Sequence, residues 1–320
     1  MKKTVTIGGH RYSDPDVLSL IESDGGLLDP RLEVIRRAQS LNQQLRSWDN
    51  IDNPRKRIEI LASLAGVNVS PMVNSPGTSR GREAFVFPDS GGSHQAFYDP
   101  TYSYARVNFS IAHEIVHTFF PKSINGTRFR SIHAERSREA NELEQLCHLG
   151  ASELLMPQEE FLEGTGSDFG LHLVPNLASR FGSSYEATVF RLATTYNGLA
   201  VAGLLQHRYR KAEERRLSAP PQPSLFPNES PITKQPEPKY RRQSLHTSLP
   251  CTADHLVHWN KSFDETSCVY LAQEPEDIQR GYESLPNRFG ESGNIEAVQA
   301  PYQRTLDIAC LPDVLFLWWI

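Results

Sequence analysis

Residues 220–238 hold seven of the chain's 22 prolines, at positions 220, 221, 223, 227, 231, 236 and 238. Each proline removes a backbone donor and fixes φ, so neither a helix nor a sheet ladder is expected to run through this stretch. The density predicts an extended linker over 217–248 and a domain boundary there. At 320 residues the chain exceeds one domain of about 100–200 residues. A composition of 38% hydrophobic and 22% charged residues is ordinary for folded proteins, which excludes global disorder. A net charge of −5 gives no general attraction to nucleic acid or anionic lipid. No window approaches the roughly 18 apolar residues of a membrane span, so no membrane partner is expected. Cys147, Cys251, Cys268 and Cys310 lack CxxC spacing. That argues against a disulfide scaffold and a thiolate zinc site, and for reduced thiols in a cytoplasmic protein.

The N-terminal residues 1–26 read as a weakly structured lead-in, because Gly8-Gly9, Ser13-Asp14-Pro15 and Asp24-Gly25-Gly26 interrupt each apolar run. A helix starts at Pro30, capped by Asp29, with Leu32, Ile35, Ala38, Leu41 and Leu45 as its apolar face. A second follows Asn53-Pro54 and stops at Gly66, and Val67–Val69 reads as a short strand. Glu83–Pro88 and His94–Asp99 have the pattern of a β-hairpin. Arg106–Phe120 and Glu135–Met156 read as helices, ended by Pro121 and Pro157. Leu177–Leu192 has helix-turn-helix spacing about Gly182. Beyond 249, Ser267–Leu271, Asn294–Ala300 and Leu306–Leu311 alternate as strands, and Leu315–Ile320 reads as a closing strand. The expected fold class is α+β.

Chemistry concentrates in His113-Glu114-Ile115-Val116-His117. Residues four apart share a helix face, so both imidazoles can meet one Zn²⁺ at about 2.0–2.1 Å. Glu114 then adjoins the metal without ligating it, as a general base for water there requires. A third protein ligand is needed, and the second helix offers Glu135, Glu139, Glu142, Glu144 and Glu153, among which spacing alone does not choose.

Two segments, Phe109–His117 and Glu144–Pro157, together resemble the ImmA/IrrE family of zincin-like metallopeptidases, in which an HExxH helix is followed by a second helix ending Leu-Leu-Met-Pro. The resemblance covers about 54–200. It implies that Glu144, 27 residues beyond His117, is the third metal ligand. His148 stands where relatives often carry Asn or Asp, a position expected to support a ligating histidine through a hydrogen bond. The resemblance further implies a zinc endopeptidase that cuts a helix-turn-helix repressor and so releases stress-response or mobile-element genes. Mn²⁺ or Co²⁺ are the alternative metals. Tyr98, Tyr102, Tyr104, Arg106 and His133 are the candidate oxyanion or substrate donors.

The expected organisation is thus a zincin-like peptidase domain over 27–164, a helical subdomain over 165–216, the linker, and a small β domain over 249–320. The rival reading is a non-enzymatic regulator that binds DNA or a toxin or antitoxin partner. In it Ser183, Ser184, Tyr185, Thr188 and Arg191 face a major groove, with Arg180, Arg208 and Arg210 on phosphates. DNA binding is the less favoured reading, since few basic residues fall within the recognition helix. Cys147 is read as a core thiol, and His255, His258 and Trp259 as partly buried structure.

Overall fold

A computed structural model describes residues 4–23, 28–46, 51–72, 82–89, 92–120, 128–131, 138–166, 168–218, 236–248, 251, 257, 261–274, 277–287, 290–301 and 311–320. The chain divides into two compact units. One comprises Met1–Gly166 and Asn176–Ser184, the other Ser167–Pro175 and Tyr185–Ile320.

The first unit opens with ordered structure where a loose lead-in was expected. The breakers in the sequence are the turn and the cap. Gly8 and Gly9, at φ +57° and +78°, form the two-residue turn between strands β1 (Val5–Ile7) and β2 (His10–Tyr12). Asp14 caps helix α1 (Pro15–Glu22), its carboxylate accepting from the Asp16 and Val17 amides, with proline at the first position. Helix α2 (Pro30–Leu45) starts on the Asp29 cap as expected. Its buried face is Val34, Ala38, Leu41 and Leu45, whereas Leu32 is exposed. Helix α3 (Pro54–Leu64) ends before Gly66, at φ +70°, and leads into strand β3 (Val67–Pro71).

Strands β4 (Arg82–Pro88) and β5 (His94–Tyr98) form the expected antiparallel hairpin, Ala84 opposite Tyr98 and Pro88 opposite His94. β3 adds parallel to β5, and β6 (Arg128–Ser131) antiparallel to β4, giving the order β3-β5-β4-β6. Helix α4 (Tyr104–His117) packs on this sheet and against helix α5 (Arg138–Leu155), which also packs on α2. Val107, Ile111, Ala112, Ile115 and Val116 of α4 are all buried, so its C-terminal half is enclosed nearly all round. Helix α6 (Gln158–Thr165) follows α5, and Phe161 meets Phe181 at the end of helix α7 (Val174–Phe181), 5.6 Å between rings.

The second unit is built on one antiparallel sheet. Helix α8 (Tyr185–Thr195) packs on strand β7 (Ala200–Arg208), which is followed by the short helix α9 (Lys211–Ser218) and strand β8 (Lys239–Thr247). A four-residue helix α10 (Cys268–Leu271) precedes β9 (Gln279–Ser284), β10 (Ser292–Gln299) and β11 (Val314–Trp319). The strand order is β8-β7-β11-β10-β9. Its core gathers Val201, Leu205, Tyr240, Phe263, Phe316 and Trp318.

Four expectations change here. The proline-rich stretch is not a boundary between domains, because β7 before it and β8 after it are neighbouring strands, Val201 opposite Thr247 and Arg208 opposite Lys239. Accordingly the β unit starts well before 249, and 200–208 is sheet rather than part of a helical subdomain. The helix-turn-helix pair is divided, since most of α7 belongs to the first unit and α8 to the second. Ser267–Leu271 is a capped helical turn, the Ser267 hydroxyl accepting from the Val269 amide, where alternation suggested a strand. The β11 strand appears where a closing strand was expected. Residues 306–310, His255, His258, Trp259 and Cys310 lie outside the described residues.

Candidate metal centre

The facing surfaces of α4 and α5 bring the motif residues together. His113 and His117 are one turn apart on α4 and are buried, and their rings meet edge-on at 4.8 Å. Glu144 on α5 reaches both: its Oε2 is 3.4 Å from His113 Nε2 and its Oε1 3.8 Å from His117 Nε2. Donor atoms held at about 2.0–2.1 Å around a tetrahedral cation lie about 3.3 Å apart, so this spacing suits a shared metal. His148, one turn beyond Glu144, meets His113 at 5.0 Å and Phe109 at 5.5 Å between rings. Since Glu144 faces His113 and His117 while His148 faces Phe109 and His113, α5 runs antiparallel to α4.

Among the described residues two sets of donor atoms lie mutually within 4.8 Å: His113, His117 and Cys147, and His113, Glu144 and His148. The pairing of Glu144 with both motif histidines rests on the two carboxylate distances above. Burial by itself raises the Glu144 carboxyl. The hydrogen bond with His113 and the charges of His113, His117 and His148 outweigh burial and hold it at about 2. The group is therefore a carboxylate at neutral pH, as a metal ligand must be.

The structure also separates Glu144 from the other carboxylates of this helix. Glu142 accepts from the Ser13 amide and hydroxyl and from the Asp14 amide at 2.7–3.0 Å, which ties down the N-terminal hairpin. Glu153 accepts from Gln39 and the Gln158 amide. Glu135 and the Glu139 side chain lie outside the described residues.

Glu114 is buried beside His113, its Oε1 3.7 Å from Nδ1. At the other histidine, Cys147 Sγ lies 3.5 Å from His117 Nδ1 and orients the ring so that Nε2 faces Glu144. Sequence reading took Cys147 as core packing alone. The available signal was its position three residues after Glu144, which turns it toward the same helix interface.

Most of the candidate oxyanion donors have other engagements. Tyr104 Oη accepts from the Arg55 amide at 2.8 Å and donates to Asn53 Oδ1 at 3.2 Å, closing the N-terminus of α3. Arg106 forms an ion pair with buried Glu83 and lies over the Tyr102 ring. The Tyr98 ring lies under the Arg55 guanidinium. Arg106 and Tyr104 also sit about 10 and 13 Å back along α4 from His113, at 1.5 Å per residue. His133 lies outside the described residues.

Residues 79–193 match the family model of the IrrE N-terminal-like domain, Peptidase_M78. The match spans both motif helices and agrees with the family that those motifs resemble, so this segment is similar to a family of metallopeptidases. A solved Mycobacterium tuberculosis transcriptional regulator is similar over 95% of this chain and 80% of its own, at 15% identity and a TM-score of 0.49. No curated protein matches the chain. Among the described residues no helix is long and apolar enough to cross a membrane.

Proposed function

We propose that this chain is a zinc-dependent endopeptidase whose substrate is a helix-turn-helix repressor. The observation that carries the hydrolytic reading is the pairing of Glu144 with both histidines of the HExxH helix, 3.4 and 3.8 Å away, with Glu114 buried on that same helix. The repressor as substrate, and the release of stress-response or mobile-element genes, follow from the motif resemblance. His113, His117 and Glu144 hold the metal, zinc first and Mn²⁺ or Co²⁺ as alternatives. When bound, such a cation polarises the scissile carbonyl and brings the pKa of water toward ~7.

The chain's own residues do the rest. Cys147 at His117 Nδ1 keeps that ring aimed at the site. Glu114 takes a proton from the attacking water and delivers it to the departing amine. Its burial keeps bulk water from competing for that proton. The enclosed second half of α4 fixes these groups on a rigid element.

The DNA-binding alternative is disfavoured further by burial. Thr188 and Arg191, on the face that would enter a groove, are 0% and 8% exposed. The test pairs metal analysis with cleavage assays against helix-turn-helix proteins encoded beside this one. Stoichiometric metal in wild type and Glu114→Gln, with a discrete cut by wild type alone, is the expected result. Metal in both and no cut by either transfers the reading to a regulator that acts by binding. Glu144→Ala should lose metal and activity together. Unchanged metal content there removes Glu144 from the ligand set.

A further inference from the structure

The donors around His113 outnumber what an open catalytic centre uses. Helix α4 presents His113 and His117 one turn apart, and α5 presents Glu144 and His148 one turn apart. The antiparallel packing of the two helices turns both pairs into one interface. The donor atoms of His113, Glu144 and His148 lie mutually within 4.8 Å, and the His113 and His148 rings stand at 62° with centroids 5.0 Å apart. Glu144 extends the same group to His117 at 3.8 Å.

We propose that His148 is itself a donor to the metal, so that each helix supplies two ligands: His113 and His117 from α4, Glu144 and His148 from α5. This rests on the metal reading above. The supporting position expected for His148, at the far nitrogen of a ligating histidine, is already flanked by other groups. Cys147 Sγ is 3.5 Å from His117 Nδ1 and Glu114 Oε1 3.7 Å from His113 Nδ1. His148 instead brings a nitrogen within 4.8 Å of donor atoms of both His113 and Glu144, and an imidazole binds zinc readily. Four protein donors would fill the tetrahedral set that zinc takes in closed sites, so water or substrate would need a fifth position or the place of one of the four.

X-ray absorption of the zinc-loaded full chain counts imidazole donors directly, and competition with a chromophoric chelator measures affinity. Three imidazoles are expected in wild type and two in His148→Asn, with zinc affinity reduced roughly tenfold or more. Two imidazoles in wild type would overturn the proposal, and that count needs no variant to fold. Unchanged affinity in both His148→Asn and His148→Gln would also overturn it, since either amide can replace a hydrogen bond to a ligating histidine but not a zinc ligand. A wild-type chain that takes up no zinc at all overturns the metal reading itself. Wild type that binds zinc through two imidazoles leaves that reading standing and removes only His148.

Discussion

Arg37 holds the chain where it leaves the HExxH helix, and Glu33 holds Arg37. The Arg37 guanidinium donates to the Phe119 carbonyl at 2.6 Å, two residues past His117, and to Glu33 Oε1 at 2.6 Å. Arg36 donates to the same carboxylate through Nε and Nη2, at 2.6 and 2.7 Å. The hydrogen bond from Arg36 does most to pull the Glu33 carboxyl below its ordinary 4.5; burial opposes this, and the bond from Arg37 adds to the lowering. A carboxyl depressed in the folded state stabilises it above the unfolded pKa, and the benefit is lost as pH falls through the lower folded value. Glu33→Gln should therefore cost about 1–2 kcal/mol at pH 7. The gap in chemical-denaturation stability between wild type and variant should close as pH drops below about 4.5. A gap that stays constant from pH 7 to pH 3 would show that the charge of Glu33 is not what matters.

At the scale of the elements, the site depends on how closely three helices approach. A Cβ added to Gly150 on α5 would lie 2.7 Å from Val34 on α2 and 2.8 Å from Val116 on α4. Both valines are fully buried and stiff at χ1. Gly150→Ala gains about 1 kcal/mol of helix propensity. It also incurs overpacking of about 1–3 kcal/mol. Because Val116 adjoins His117, the shift also moves a proposed ligand. A lower melting temperature together with weaker zinc uptake is expected, read by thermal unfolding and chelator competition. A more stable variant with normal zinc affinity would mean that the helices have slack. Elements with a regular period were legible in the sequence: α4 shows Val107, Ile111 and Ile115 at helical spacing, and all are buried. Strand β7 gave no such sign. Its residues 200–207 are all buried, so alternation vanishes and the run resembles any apolar segment. The short helix α10 was misread because four residues cannot distinguish a period of two from one of 3.6.

For the whole molecule, the two motifs carried the candidate site because both lie on local helices, whereas the partition of the chain depends on pairings far apart in sequence. Nothing local in Val201 announces Thr247 as its partner across the proline-rich stretch, and nothing in Leu177–Leu192 announces that its two helices join different compact units. That partition makes a testable statement about the metal. All the candidate ligands lie in the first unit, on α4 and α5, while the second unit has its own core around Phe316 and Trp318. Binding stabilises only states that contain the site, by about 2.7 kcal/mol at 100 times the Kd, or roughly 100-fold in the opening equilibrium. Hydrogen exchange should thus slow by up to about that factor in α4 and α5 on zinc addition, with the amides of β7, β10 and β11 unchanged. Equal slowing in the central strands of the second unit would mean that the metal binds elsewhere or that the two cores open together. No slowing in α4 and α5 at saturating zinc would dismiss their interface as the metal centre.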